Sequence, residues 1–148
     1  MRSGGINMID AMSQEEYYAE LLTRVENHPD RFIAKTGIRF LEIAEGYAKG
    51  DMPNIPATQN FAGGIHGGAL FTLADTISGT AARTHGRPQV VLTVNSTMNY
   101  LRLAVPGPVA CEARVRKAGR TLTVCEAVIT DSEAREVASG TFTFYLAD

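Results

Sequence analysis

Cys111 and Cys125 are the only cysteines in this 148-residue chain, too few and too far apart for a disulfide framework or a thiolate metal site. Both are expected to be small core residues. Tryptophan is absent. An excess of charge is lacking too: a formal net charge of -2, with Lys and Arg scattered, leaves no electrostatic footprint for a nucleic acid or a membrane surface. No apolar run reaches the roughly 18 residues that would cross a bilayer, and the opening MRSGGINMIDAMS has no apolar region followed by a small-residue cleavage site. A cytoplasmic protein without nucleic-acid or membrane partners is therefore expected. No G-x-S-x-G is present, which removes the nucleophile-elbow serine hydrolases. His28, His66 and His85 have no ligand-like spacing, so no metal is expected. Asn95-Ser96-Thr97 matches a glycosylation sequon inside a strand-like stretch and reads as accidental.

The length suits one domain with a real core. Residues 1–12 are expected to form a flexible N-terminus, and residues 13–148 a single domain led by a helix. Ser13 and Glu16 have capping-box spacing, and QEEYYAELLTRVEN carries Tyr17, Leu21, Leu22 and Val25 at helical spacing before His28-Pro29 ends it. GIRFLEIAEGYAKGDM reads as a hairpin turning at Glu45-Gly46. From Pro88 onward the period is two: Val90, Leu92 and Val94 alternate with Thr93 and Asn95, then Val109, Cys111, Ala113 and Val115 with Glu112, Arg114 and Arg116. Two further strands follow, parted by turn-like RKAGRT and TDSEARE, so the second half is expected to run as a meander. Between the halves lies HGGALFTLADTISGTAAR, apolar nearly all round. Such a helix is best buried by wrapping the sheet about it, which makes the fold class α+β. Arg83, His85 and Gly86 suit its C-terminus, and His28 the end of the first helix, so neither His85 nor His28 is given a catalytic role.

Asp75 sits inside that apolar run with no Lys or Arg between Gly67 and Ala82 to pair with it. An unpaired buried carboxylate is costly, so it needs a reason. Acyl transfer to water supplies one, because it requires a group that activates water or attacks directly, and donors aimed at the oxygen that becomes negative. Gly67 and Gly68 at the helix start are expected to leave N–H groups free at the positive end of the dipole, with no side chains to block a carbonyl. Gly67 and Asp75 are eight positions apart, so about 12 Å separates them along one helix, too far for one carbonyl to touch both. A two-fold partner closes the gap if Asp75 of one copy faces Gly67 of the other, giving two equivalent sites per dimer.

The spacing N-x5-HGG-x6-D, made by Asn60, His66, Gly67, Gly68 and Asp75 and followed by LTVNSTMNYLRLA, resembles the small hotdog-fold acyl-CoA thioesterases of the phenylacetate-degradation type. The similarity runs from about Gly37 to Leu146. It implies a curved antiparallel sheet around a central helix, assembled as a homodimer and commonly a homotetramer built as a dimer of dimers, that cleaves acyl-CoA thioesters. By this resemblance Asp75 is the general base or nucleophile and Gly67 the oxyanion donor. Asn60 then orients the thioester or water, His66 is the loop histidine beside it, and Thr93 is a hydroxyl-bearing helper. Leu103 departs from the family, where many members have Pro after YLR.

The cations Arg116, Lys117 and Arg120 gather at the turn RVRKAGRT, where they are either a solvated hairpin end or the holders of the CoA phosphates. No separate cofactor is expected, CoA being part of the substrate. Phe61, Phe71 and Met98 among small residues suit an apolar or aromatic acyl group. Two other functions use the same residues: a non-catalytic acyl-CoA-binding subunit or sensor, and a hotdog enoyl-CoA hydratase or dehydratase pairing His66 with Asp75.

Overall fold

Local chemistry starts the two longer helices of this computed structural model, which describes residues 8–148. The first seven residues of the expected N-terminal segment lie outside that description, and Met8–Ala11 form a helical turn, α1. Ser13 Oγ accepts from Glu16 N–H at 3.1 Å while Glu16 Oε2 accepts from Ser13 N–H at 2.8 Å, the capping box that opens α2, Gln14–Leu22. This helix stops before Val25, short of the expected His28. Thr23 ends it by turning its hydroxyl back onto the carbonyls of Ala19 and Glu20. After a short α3, Phe32–Lys35, come β1, Arg39–Ala44, and β2, Tyr47–Met52, joined at Gly46, whose φ of 67° favours glycine. The expected hairpin is there.

A loop then leads to α4, Gly67–Arg83, and four strands follow: β3, Val90–Tyr100; β4, Val109–Ala118; β5, Leu122–Thr130; and β6, Glu136–Ala147. All pairings are antiparallel in the order β1-β2-β4-β5-β6-β3. The class is α+β, as expected. Only β4, β5 and β6 form the meander, however, because β3 pairs with β6 and lies at the sheet edge.

One face of α4, built from Leu70, Leu73, Ala74, Ile77, Ser78 and Ala81, is buried against the sheet. Small residues opposite, Ala48, Cys111, Ala113, Cys125 and Ala127, are buried too, and both cysteines are free thiols. The helix comes so close that a Cβ on Gly50 would collide with Ile77. Each large side chain buried here, such as Ile77 or Phe142, stabilises the fold by about 1.5–3 kcal/mol. Before α4, Tyr17 of α2 donates from its hydroxyl to the Arg83 carbonyl at 3.1 Å, bracing the helix end. Arg87, at φ 50°, ties the chain start to the same place through the carbonyls of Ile9 and Met12 and the face of the Tyr17 ring. Among the described residues no helix is long and apolar enough to cross a membrane.

Candidate active site

A second face of α4 carries Asp75, Thr76, Gly79 and Arg83, and with Val91 and Thr93 of β3 and Phe144 of β6 it lines an open cleft of about 440 Å³. Asp75 is half-buried there, and its one side-chain partner among the described residues is Thr93 of β3, whose hydroxyl donates to Oδ1 at 2.6 Å. Burial pushes the Asp75 carboxyl above the usual carboxylate range, and the Thr93 bond pulls it partway back. A carboxylate so placed can take a proton from water or attack a carbonyl, and among the described residues no cation is hydrogen-bonded to it to blunt its basicity.

The other end of α4 is arranged differently from the expectation of two free amides. His66 is the N-cap, and its Nδ1 accepts from Gly68 N–H at 2.8 Å, so Gly68 has no donor to offer. The corrected picture leaves Gly67 N–H, which meets no acceptor among the described residues, as the amide available for a developing oxyanion. Because Nδ1 is an acceptor, the neutral His66 ring carries its hydrogen on Nε2, a donor on an exposed side chain. A Cβ on Gly67 would stand 3.4 Å from the Tyr100 ring, so the glycine keeps this approach narrow but open.

Asn60 lies in the loop feeding the helix. Its Oδ1 accepts from Ala62 N–H at 2.9 Å and Gly64 N–H at 3.1 Å, which shapes the loop and leaves the side-chain amide without a partner among the described residues. Two groups of site candidates result: Asp75 with Thr93, and Gly67 with His66 and Asn60. Within one chain the fold does not bring the two together, since the helix holds them about 12 Å apart along its axis.

Arg116, Lys117 and Arg120 are exposed at the β4–β5 hairpin, away from the cleft, and Arg116 reaches Glu126 at 3.4 Å. The aromatic and thioether residues expected around an acyl group are elsewhere too. Phe61 is fully exposed, Phe71 packs on Phe142 with ring centroids 5.4 Å apart, and Met98 lies on β3 against the core. Instead Val25, Ile33, Phe40, Val91 and Phe144 supply the apolar wall of the cleft, with Arg24, His28, Arg31 and Arg83 at its polar end. Sequence reasoning missed these because they come from five separate elements. The one available signal was the run of basic residues near His28, which reads equally well as a solvated helix end.

Replacing Thr93 by Val removes the hydroxyl that lowers the Asp75 pKa, so the acid limb of the pH–rate profile is expected to move to higher pH. Thr93→Ser should leave it in place. A pH profile of kcat/KM for both variants checks this, and coincident limbs would show that Thr93 does not tune the acid.

A sequence profile described as the thioesterase superfamily matches residues 62–138. A Deinococcus radiodurans protein provisionally named an esterase is 30% identical over 72% of this chain and 68% of its own length. For an Archaeoglobus fulgidus protein with the same kind of name the identity is 30% over 60% of this chain, and the match spans 58% of that relative. Among solved structures, a thioesterase family protein from Silicibacter pomeroyi is 29% identical with a TM-score of 0.78, covering 88% of this chain and 98% of that one. A Streptococcus mutans protein solved with acetyl-CoA bound is 28% identical with a TM-score of 0.69, over 74% of this chain and 88% of the other. The Escherichia coli PaaI protein of the phenylacetic acid degradation operon shares the fold at 24% identity, with a TM-score of 0.74 and coverage of 86% and 96%.

Proposed function

This chain belongs to the thioesterase superfamily, and from that premise we propose that it hydrolyses acyl-CoA thioesters at a site shared by two copies of itself. The observation that carries the reading is Asp75, a half-buried carboxylate held by one hydroxyl at the floor of a cleft. It serves as general base toward water or as nucleophile toward the thioester carbon. Gly67 N–H of the partner subunit receives the oxyanion, with the partner's Asn60 amide orienting the thioester or water and the partner's His66 Nε2–H beside it. Water and these groups suffice, CoA being part of the substrate.

The way the two halves meet is supported by β3. Its outer edge pairs with no strand among the described residues, and Val90, Leu92, Val94 and Tyr100 are exposed on it. A long apolar edge of this kind is a liability in a monomer and a ready interface in a dimer. Two such edges paired antiparallel about a two-fold axis near Ser96 and Thr97 set Thr93 opposite the partner's Tyr100. Thr93 touches Asp75 and Tyr100 lies over Gly67, so this one register brings acid and oxyanion donor to a common point. A tetramer would then be a dimer of these dimers.

Release of free CoA thiol from acyl-CoA by the purified protein tests the reading. Saturable binding without release would favour a sensor subunit instead. Hydration of an enoyl thioester is disfavoured by His66, whose Nδ1 is committed to the Gly68 amide. The exposed Lys117 and Arg120 remain the proposed contacts for CoA phosphates. Lys117→Ala with Arg120→Ala is expected to raise KM more than it lowers kcat, because these contacts are remote from the scissile bond. Steady-state kinetics at two salt concentrations checks this, and an unchanged KM and salt response would make the turn a solvated hairpin end.

A further inference from the structure

The thioesterase reading leaves the far end of the Asp75 cleft unexplained. Arg24 and His28 come from the turn after α2, Arg31 from the start of α3, and Arg83 from the last turn of α4. All four line one cleft whose single carboxylate is Asp75. None of the three arginines makes an ion pair among the described residues. Glu20, near Arg83 on α2, offsets the charge in part without pairing. Arg83 is fixed, one nitrogen donating to the carbonyls of Pro88 and Gln89 at 3.1 and 3.3 Å. Burial lowers its pKa below the ordinary guanidinium value, and the neighbouring charge of Arg24 adds to that. Like charges gathered at the end of a cleft raise one another's energy unless an anion arrives.

The rest of the cleft is lined chiefly by hydrocarbon, Val25, Ile33, Phe40, Val91 and Phe144, with Thr76, Thr80 and Thr93 as its hydroxyl-bearing members. The Thr80 hydroxyl is engaged within the helix, donating to the Thr76 carbonyl at 2.9 Å. Resting on the thioesterase reading, we infer that this cleft takes the acyl group and that its cationic end receives a terminal carboxylate, the substrates being CoA thioesters of dicarboxylic acids. Arg83 lies about 12 Å from Asp75 along the helix and its side chain shortens the span, so an acyl chain of roughly six to ten carbons bridges it. A phosphate of CoA is a poorer occupant. About thirteen bonds, or roughly 16 Å extended, part the thioester sulfur from the first phosphorus, and that arm carries two amides and a hydroxyl that an apolar wall would leave unpaired. Guanidinium groups, by contrast, match a carboxylate in geometry and charge.

The test compares octanedioyl-CoA with octanoyl-CoA, equal in length and different only at the far end. Wild type is expected to favour the dicarboxylic thioester in kcat/KM by about tenfold or more. Arg24→Gln with Arg31→Gln should cut that ratio by about tenfold, and Lys at both positions should restore part of it, with circular dichroism verifying the fold. No preference in wild type, or equal losses on both substrates together with weaker inhibition by 3′,5′-ADP, would overturn the assignment and give the cations to CoA phosphate. If neither thioester is cleaved, the thioesterase reading fails, and calorimetry then decides the cleft separately. Octanedioate should bind Asp75→Asn protein more tightly than octanoate does, and equal or absent binding of the two acids overturns the inference.

Discussion

Asp75→Asn is expected to lose about 10² to 10⁴ in turnover of any acyl-CoA the protein cleaves, while its melting temperature at neutral pH stays level or rises. The two halves of that result have one cause. Burial raises the Asp75 pKa above its ordinary value, so the native state binds the proton more tightly than the unfolded chain does. The stability linked to this group is present in full below the unfolded pKa and is lost as pH rises through the folded one. At neutral pH the carboxylate is therefore a destabilising presence, and the proposed role in catalysis gives a reason for keeping it. Asparagine removes the charge and keeps an oxygen at the position that accepts the Thr93 hydroxyl. Thiol-release assays and thermal melts across pH on the same preparation check both parts. Undiminished turnover would take the chemistry away from Asp75, and a melting temperature several degrees lower would make it a structural acid.

The parts of this fold legible in the sequence are those governed by local chemistry. Ser13 with Glu16, the turn at Gly46 and the period-two runs at Val109 and Leu122 each dictate an element through their nearest neighbours. The position of β3 was not legible, because the alternation of Val90, Leu92 and Val94 does not say which strand lies alongside, and pairing with β6 is decided by the way the sheet closes around α4. At the site, Thr93 is singled out only by the resemblance to the hotdog thioesterases, since a threonine in a strand is otherwise ordinary, and its bond to Asp75 depends on how β3 lies beside α4. The role of His66 required coordinates, since a histidine before two glycines reads alike whether its ring caps the helix or meets a substrate. The cationic end of the cleft was hidden for a further reason: Arg24, Arg31 and Arg83 are separated in sequence and converge only when α2 folds back on the end of α4.

Two inactive variants, unfolded and refolded together in equal amounts, are expected to regain about a quarter of wild-type activity if the site is shared. The first is Asp75→Asn. The second must disable the other half of the site without disturbing its loop, and alanine at Asn60 would strip the acceptor that holds Ala62 and Gly64. Asn60→Asp keeps an oxygen for those two amides and removes the side-chain donors, so each variant alone should be nearly inactive yet folded. Random reassociation makes about half of the dimers mixed, and two-fold symmetry gives each mixed dimer one site carrying both lesions and one carrying neither. The same arithmetic holds in a dimer of dimers, because each shared site would draw its acid from one chain and its asparagine from the partner. Had both residues acted within a single chain, every site would keep a lesion and mixing would restore nothing. Subunit exchange followed by mass labelling guards against a trivial failure. Exchange without recovery would overturn the shared site, and the β3 edge would then need another partner to cover Leu92 and Val94.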